Sequence, residues 1–222
     1  MVTIYAADVS AFIDMPEEEF WKRCEAVSER RKEKIRRYRF RKDRALSLGA
    51  GLLLKQAFEE FHVRGGIELT EHGKPVLADG TVSDYPTFFF NLSHSGQMVI
   101  CAVSDREIGC DVERVGILDR SLWKELAPDE REYVAGDEAA DMESDPTACW
   151  NRFFEIWTKK ESYLKAVGTG ITVRLHNFSV FTQDEYSFLD LSEWCESWPG
   201  YRFACCVKGK SEKITKKIIK FF

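Results

Sequence analysis

Residues 87–112 read TFFFNLSHSGQMVICAVSDREIGCDV, and this stretch decides the fold because strand signals follow one another closely in it. Thr87 to Leu92 and Met98 to Val103 are apolar runs of strand length on either side of the turn residues Ser95-Gly96. A third short run, Glu107 to Val112, follows at once. The stretch therefore predicts consecutive β-strands in the middle of the chain.

Helical patterns dominate the sequence before this stretch. Residues 2–8 read as a strand, and apolar residues recur at helical spacing from about Pro16 to Tyr38 and from about Lys42 to Phe61. Short β-like pieces follow at Ile67 to Leu69 and at Pro75 to Leu77. The chain is thus expected to open with a strand, helices and then strands.

The sequence after the stretch repeats this order. Leu118 to Tyr133 is predicted to be helical, and the acidic segment from Ala135 to Pro146, which has no periodicity, is predicted to be a mobile loop. Thr147 to Val167 is the clearest helix of the sequence, with Gly168 as a suitable left-handed terminator.

The last part of the chain alternates short β segments with polar turns. This pattern runs from Ile171 to about Val207, and the lysine-rich tail from Lys208 to Phe222 is expected to add a last strand or to fray. Since the order of strand, helices and strands occurs twice, the pattern predicts an α+β protein of two similar halves, residues 1–105 and 106–222.

Composition excludes several classes of protein. With 44% hydrophobic residues, 16 Phe and 6 Trp among 222 residues, the chain is expected to be compact and ordered. We expect neither an export signal nor a membrane span, because no apolar run approaches the roughly 20 residues that a span needs. Seven Cys without a CxxC pair argue against a disulfide scaffold or a structural metal, and favour reduced thiols in the cytoplasm.

Charge is distributed unevenly along the chain. The formal net charge is -5, yet residues 30–44 contain ten Lys and Arg against only Glu33 and Asp43. One alternative is a nucleic-acid-binding module that uses this stretch together with Tyr38 and Phe40, although the negative net charge counts against it.

Two carboxylates lie close together in the third strand signal. Asp111 and Glu113 are two residues apart in a β-like run, so both side chains project from the same face. Like charges on one face repel unless a cation lies between them, and Mg²⁺ prefers oxygen ligands. The alternative is a pair of solvated surface acids.

The clearest helix contains a second group of charges. Glu161 and Lys165 share a helix face, with Trp157 one turn earlier. One interpretation is an ordinary surface ion pair. The other gives Glu161 a metal-binding or general-base role and directs Lys165 to a phosphate.

Small polar residues surround one of the four histidines. Ser93, His94 and Ser95 follow a strand, where their donors could bind a phosphate or cap a turn. Serine catalysis is not expected, because no G-x-S-x-G elbow is present. Gly73-Lys74-Pro75 reads as a turn, since it lacks the spacing of a Walker loop.

Taken in order, four motifs resemble those of the Sfp-type 4'-phosphopantetheinyl transferases: GKP at 73–75, FNLSHSG at 90–96, IGCDVE at 108–113 and WTKKESYLKAVGTG at 157–170. The resemblance extends from Arg31 to Gly170. It implies transfer of the 4'-phosphopantetheine arm of coenzyme A to a serine of an apo acyl or peptidyl carrier protein, with Mg²⁺ as cofactor.

The resemblance also implies the fold. Two similar α/β subdomains would be related by a pseudo-twofold axis, with coenzyme A in the cleft between them. The nucleotide would lie on the side of residues 1–105, and the metal and catalytic residues would lie in residues 106–222.

Residue roles follow from the matched motifs. Asp111, Glu113 and Glu161 match the metal ligands, and Glu161, Lys165 and His94 match catalytic positions. By this resemblance Glu161 would take the proton from the carrier serine, and Lys165 would stabilise the departing 3',5'-ADP.

A wider set of residues matches positions that bind coenzyme A. Lys34 would hold the 3'-phosphate with Arg31 beside it, and Ser47 is a further match in the second helix. The full set of matched positions is Arg31, Lys34, Ser47, Gly73, Lys74, Ser93, His94 and Lys165.

Carrier docking is predicted after the D-x-E strand, where Leu118, Leu122 and Trp123 could form an apolar stripe, unless these residues belong to the core. The resemblance implies a monomer with no nucleic-acid or membrane partner. A further alternative is a catalytically silent relative that only binds coenzyme A or a carrier.

Overall fold

The computed structural model describes residues 1–136, 146–170, 174–210 and 213–221, and these ranges form an α+β structure. The elements of the first half are β1 (Val2–Asp8), α1 (Ser10–Asp14), α2 (Glu17–Cys24), α3 (Glu29–Arg37), α4 (Arg41–Glu60), β2 (Ile67–Leu69), β3 (Pro75–Leu77), β4 (Phe89–Ser95) and β5 (Met98–Ser104). Those of the second half are β6 (Ile108–Arg114), a 3₁₀ helix (Arg120–Glu125), α5 (Pro128–Ala135), α6 (Pro146–Val167), two 3₁₀ turns (Leu175–Asn177 and Val180–Thr182), β7 (Tyr186–Phe188), α7 (Ser192–Ser197), β8 (Tyr201–Lys208) and β9 (Ile214–Ile218).

A four-stranded sheet forms the centre of the first half, in the order β4-β5-β1-β9. β1 pairs antiparallel with β5, and the lysine-rich tail forms β9, which pairs parallel with β1. The long helix α4 covers one face of this sheet with buried side chains at helical spacing, namely Ala50, Leu53, Leu54 and Ala57.

A three-stranded sheet in the order β6-β8-β7 forms the second half, and α6 packs against β6 and β8. The two sheets share a core, because alternate residues of β1 point to opposite faces. Tyr5 and Ala7 face the helices of the first half, whereas Val2, Ile4 and Ala6 pack in one cluster with β6, β8 and α7. β1 is therefore buried on both faces.

Two predicted helices are each divided in the structure. The stretch from Pro16 to Tyr38 breaks into α2 and α3 because Ser28 caps the second helix and accepts a hydrogen bond from the backbone of Arg31. The stretch from Leu118 to Tyr133 breaks into a 3₁₀ helix and α5, which begins at Pro128, a residue suited to a first helical position. Helix α1 was not predicted.

The segment from Ile171 to Val207 is less extended than predicted. Its described part contains two 3₁₀ turns and α7 as well as the strands β7 and β8. The predicted helix from Thr147 is confirmed as α6, and Gly168 ends it in the left-handed region with φ 82°. Most of the predicted loop between Ala135 and Pro146 lies outside the described residues.

The division at residue 105 stays a prediction, and β9 lies in the sheet of the first half although it belongs to the second half of the sequence. All seven cysteines are free thiols. Within the described ranges, no helix combines the length and apolar character that crossing a membrane would require.

Candidate active site at the seam between the sheets

The edge strands β4 and β6 lie side by side, and side chains rather than a backbone ladder connect them. The side-chain oxygen of Asn91 accepts a hydrogen bond from the backbone N–H of Cys110 at 3.0 Å. Four residues later, the hydroxyl of Ser95 accepts one from the backbone N–H of Arg114 at 3.1 Å. Alternate residues of a strand share a face, so Asn91, Ser93 and Ser95 all point at β6.

The same row of side chains holds the two carboxylates of β6. Ser93 Oγ donates a hydrogen bond to Asp111 Oδ1 at 2.7 Å, and Ser95 Oγ donates one to Glu113 Oε2 at 2.7 Å. The predicted projection of Asp111 and Glu113 from one face is thus what the structure shows.

Gly109 lets α6 approach β6 unusually closely. A methyl group at Gly109 would overlap the backbone carbonyl oxygen of Ser162 and the backbone nitrogen of Ala166. Because no side chain separates strand from helix here, Glu161 and Lys165 lie beside the carboxylates of β6.

Asp111 and Lys165 form an ion pair at the centre of the contact between β4 and β6, which we call the seam. Lys165 Nζ lies 2.5 Å from Asp111 Oδ1 and 3.0 Å from Ser93 Oγ. Burial raises the pKa of Asp111, which is only 2% exposed, although Lys165 and Ser93 act to lower it. Burial would lower the pKa of Lys165, but the charge and hydrogen bond of Asp111 outweigh burial and raise it. We take the pair as ionised, because the short contact favours both charges.

Two further acids are coupled to this pair. Burial raises the pKa of Glu113, and the negative charge of Asp111 raises it further against the hydrogen bond from Ser95. Burial and the charge of Asp111 also raise the pKa of Glu161, while Lys165 lowers it. The cluster therefore contains three acids and one ammonium, and carries uncompensated negative charge.

The donor set of this cluster suits a hard cation. Asp111 Oδ2 is buried and makes no hydrogen bond to any described residue, so one carboxylate oxygen is available. The remaining candidate ligands are also carboxylate oxygens, as Mg²⁺ prefers. Within the described ranges, however, no three such side chains are gathered as a metal site, and Lys165 occupies Asp111 Oδ1. The carboxylate oxygens are thus the type of ligand that Mg²⁺ prefers. The ammonium of Lys165 neutralises part of the negative charge that would attract the cation.

A group of cations lies on the side of the first half. Arg31 is partly buried, burial lowers its pKa, and no described carboxylate pairs with its guanidinium. Gly51 makes room for it, since a methyl group there would lie 3.1 Å from Arg31 Cγ. His94 is exposed, yet the surrounding protein lowers its pKa, and the nearby charges of Lys34, Lys165 and Arg31 lower it further. This group presents positive charge suited to an anion.

Lys74 connects the first half to the end of α6. Its Nζ donates a hydrogen bond to the carbonyl of Ala166 at 2.9 Å, and burial lowers its pKa. Gly73 turns the chain in the left-handed region, with φ 78°, and directs Lys74 toward this helix end. The ammonium thus caps the carboxyl end of the helix that carries Glu161 and Lys165.

Two of the predicted coenzyme A contacts are enclosed by protein. Ser93 is 8% exposed, and its hydroxyl joins Asp111 and Lys165. Ser47 is 1% exposed in α4, and its Oγ makes no hydrogen bond within the described ranges. Their roles in coenzyme A binding stay predictions.

The sequence did not indicate the structural role of four residues around the site. Asn91 and Ser95 hold β6, and the alternation of polar residues at 91, 93 and 95 was the signal that could have revealed them. Lys160 and Glu130 form a buried ion pair behind the site, on α6 and α5. Of these two residues, only Lys160 lies in one of the quoted motifs, and no local pattern identifies Glu130 as its partner.

A cavity of about 600 Å³ lies between α3, α4 and residues 62–67, apart from the carboxylates. Arg31 lines it, together with apolar side chains such as Val27, Leu54 and Phe58. A cavity of about 650 Å³ lies elsewhere, between α6 and the segment from Phe188 to Phe203, so cavity size does not single out one site.

Two protein-family models match the chain. Residues 15–106 match a family model described as "4'-phosphopantetheinyl transferase, N-terminal", and residues 107–206 match the 4'-phosphopantetheinyl transferase superfamily. The 4'-phosphopantetheinyl transferase psf-1 of Bacillus pumilus is 30% identical over 196 residues, which cover 82% of this chain and 79% of that protein. The 4'-phosphopantetheinyl transferase Sfp of Bacillus subtilis (strain 168) is 28% identical over 194 residues, 81% of each chain.

A more distant similarity extends to animals. The L-aminoadipate-semialdehyde dehydrogenase-phosphopantetheinyl transferase of Rattus norvegicus is 28% identical over 155 residues, 66% of this chain and 50% of that protein.

Proposed function

Because the chain belongs to the 4'-phosphopantetheinyl transferases, we propose that its active site is the seam between β4 and β6. The chain is an enzyme of this type, which transfers the 4'-phosphopantetheine arm of coenzyme A to a carrier protein. The sequence resemblance and the α+β class are thereby confirmed. The roles of individual residues are the proposal.

Arg31 and Lys34, as cations, and His94, as a hydrogen-bond donor, are proposed to bind the phosphates of coenzyme A. Arg31 supports this role because its guanidinium has no described carboxylate partner and its side chain packs closely against Gly51. A guanidinium binds phosphate with two parallel hydrogen bonds, which orients the nucleotide as well as attracting it.

Asp111, Glu113 and Glu161 are proposed to hold Mg²⁺. The unpartnered Oδ2 of Asp111 and the excess negative charge of the cluster support this assignment. When bound, Mg²⁺ would neutralise charge on the pyrophosphate of coenzyme A.

The reaction proposed is a direct attack by the carrier serine hydroxyl on the β-phosphorus of coenzyme A. A new P–O bond forms to serine, the P–O bond to 3',5'-ADP breaks, and Glu161 accepts the hydroxyl proton. The raised pKa of Glu161 supports this role, since a base works best when its pKa approaches the working pH. Lys165, a charged ammonium in the same cluster, is proposed to stabilise the departing 3',5'-ADP.

Carrier docking is proposed at Ile117 and Leu118, directly after β6. Ile117 is 79% exposed and Leu118 is 43% exposed, so this short segment offers apolar surface beside the site. Leu122 and Trp123 instead pack against the core of the second half, where the Trp123 ring contacts Trp150. Of the apolar stripe expected from the sequence, only Leu118 is kept in this proposal, and Ile117 is added to it.

The nucleic-acid alternative is not favoured. Several cations of the basic stretch are paired within the protein: Lys32 with Glu25 and Glu29, and Arg41 and Arg44 with Glu17. Fewer charges are then free to meet a phosphate backbone.

We further propose that the enzyme acts as a monomer in the cytoplasm, with the nucleotide on residues 1–105 and the chemistry on residues 106–222. Free thiols on all seven cysteines are compatible with a reducing compartment. Light scattering at working concentration checks the monomer, and a species of twice the chain mass would contradict it.

The observation that carries the proposal is the charge coupling of Glu113 and Glu161 to the Asp111–Lys165 pair at the seam. The test is intact-protein mass spectrometry of an apo carrier protein incubated with the chain, coenzyme A and Mg²⁺. A mass gain of one phosphopantetheine arm is expected, and it should disappear with EDTA and with Glu161→Ala. Tight coenzyme A binding without any mass gain on several carriers would contradict the proposed chemistry.

A further inference from the structure

A second ion pair lies on the opposite side of α6 from the seam. The side chains of Lys160 and Glu130 are both 0% exposed, and Lys160 Nζ lies 2.7 Å from Glu130 Oε2. The same ammonium donates hydrogen bonds to the carbonyl oxygens of Leu175 at 2.8 Å and Phe178 at 2.5 Å. An ammonium has three donors, and all three are used here.

Glu130 is equally well satisfied. Its Oε2 also accepts a hydrogen bond from the backbone N–H of Ala127 at 2.8 Å, and its Oε1 accepts one from the backbone N–H of Val180 at 2.8 Å. The pair therefore joins three parts of the chain: α6, the start of α5, and the segment that contains the two 3₁₀ turns. Removing one member would leave a buried charge without its partner.

Lys160 directly precedes Glu161 and lies five residues before Lys165 on the same rigid helix. The helix is constrained from two sides: the backbone contact at Gly109 limits how closely it approaches β6, and the Lys160 ammonium limits its rotation and sliding on the other side. The helix also packs against β6, β8 and α5, and apolar packing is less specific about rotation than a buried ammonium that must meet three fixed oxygens.

From these contacts we propose that Lys160 is a positioning residue, whose buried ammonium fixes the rotation of α6 and thereby directs Glu161 and Lys165 toward Asp111. The inference rests on the proposed function of that cluster. Lys160 itself touches none of the reacting groups, and it acts through the helix that carries them.

The test compares Lys160→Met with Lys159→Met. Lys159 is the matched control, because its ammonium pairs with the partly exposed Glu155 one turn away on the helix surface. We expect Lys160→Met to lower kcat for carrier modification by about 10- to 100-fold, since small misplacements of reacting groups cost this much. The KM for coenzyme A should change by less than about threefold, because Arg31, Lys34 and His94, which are proposed to bind its phosphates, lie on the other half, whereas Lys165 is proposed to act on the charge that develops during transfer. Lys159→Met should stay within about twofold in both constants.

A second variant separates positioning from stability. In the double variant Glu130→Gln/Lys160→Met no charge is buried, so the melting temperature should recover relative to Lys160→Met. A positioning role predicts that kcat stays low, because the hydrogen bonds to the carbonyls of Leu175 and Phe178 are not restored. Recovery of kcat together with the melting temperature would overturn the proposal, and the double variant decides the matter even if Lys160→Met fails to fold.

A crystal structure of the double variant gives a readout that does not depend on activity. We expect the distance from Lys165 Nζ to Asp111 Oδ1 to grow beyond contact as α6 turns. An unchanged distance would overturn the positioning role. Failure of the wild-type chain to modify any carrier would instead contradict the proposed function, and the distance would still test Lys160.

Discussion

Helix α6 contributes a lysine to a fully buried ion pair behind it and to a partly exposed one in front of it, and the two pairs differ in how fully their polar atoms are satisfied. Behind the helix, all three donors of the Lys160 ammonium and both oxygens of the Glu130 carboxylate have hydrogen-bond partners. In front of it, Asp111 pairs with Lys165 but keeps one buried oxygen that has no hydrogen-bond partner among the described residues. Burial and neighbouring negative charge also raise the pKa of Glu161 at that front face.

The difference agrees with the two roles we propose, support of the fold for the rear pair and chemistry for the front pair. A fully bonded buried pair has no capacity for a ligand, and its loss is felt as instability. A pair with an unpartnered oxygen and excess charge carries a free-energy cost in the free protein that a bound cation or substrate can relieve.

The largest effect is expected at the rear pair. Glu130→Gln should lower the free energy of unfolding by about 3 to 5 kcal/mol, because it leaves the Lys160 ammonium buried without a counter-charge. Urea unfolding followed by circular dichroism measures this. A loss below about 1 kcal/mol would remove the distinction between the two pairs.

At the front face, Glu161→Gln should have the reverse effect. We expect the rate of carrier modification to fall by at least about 100-fold, since a general base contributes this much, while the free energy of unfolding at neutral pH is unchanged or slightly higher. Glu155→Gln on the same helix is the matched control and should retain the wild-type rate within about twofold. Comparable rates for the two variants would show that Glu161 is not the base.

The close contact of strand and helix gives the third prediction. Gly109→Ala should lower the free energy of unfolding by about 1 to 3 kcal/mol, because a methyl group there overlaps the backbone of α6. The control is Gly200→Ala, where no atom lies within 4 Å of the added carbon. Equal free energies of unfolding for the two variants would mean that β6 moves away from α6 without strain, and that the contact does not constrain the helix.

A smaller effect is expected for the hydroxyl that holds Glu113. Ser95→Ala removes the 2.7 Å hydrogen bond to that carboxylate and should weaken Mg²⁺ binding by about tenfold, as loss of a residue that orients a metal ligand commonly does. Isothermal titration with Mg²⁺ measures the affinity, with Ser10→Ala as a remote control. An unchanged affinity would show that Glu113 needs no support.

The smallest effect is a dependence of stability on pH. Burial, with the charge of Asp111, raises the pKa of Glu113 and Glu161 above the ordinary value of 4.5, so the folded chain keeps protons that the unfolded chain has lost. The free energy of unfolding should therefore fall as the pH rises above that value. Urea unfolding in EDTA at pH 5 and pH 7.5 checks this, and Glu161→Gln should show the smaller decrease. A larger decrease in the variant would contradict the coupling.

Most of the front face could be predicted from the sequence, because its residues lie in short local patterns. Spacing predicted that Asp111 and Glu113 share a strand face and that Glu161 and Lys165 share a helix face, while their roles at a site came from the family resemblance. The structure shows both pairs at one seam, and the contact at Gly109 explains how they meet. Neither the strand and helix periodicities nor the presence of Gly109 predicted the contact between β6 and α6.

The rear pair could not be predicted in this way. Lys160 and Glu130 are 30 positions apart in the numbering of the chain, and each alone reads as an ordinary surface charge. The prediction of two continuous helices was wrong for a different reason. Ser28 and Pro128 are signals for the start of a helix, but our interpretation gave more weight to the apolar periodicity. Long-range partners require the tertiary structure, whereas caps only require that local signals be weighed correctly.

The double burial of β1 bears on how the molecule folds and how it could be dissected. Its two faces contribute to two different cores, and the final strand β9 pairs with it after nearly the whole chain has passed. A polypeptide cut near residue 105 would leave the first fragment without β9 and with one apolar face of its sheet open to water. We therefore expect the two halves to unfold in a single cooperative transition, and to be recovered as a functional molecule only when both are present together.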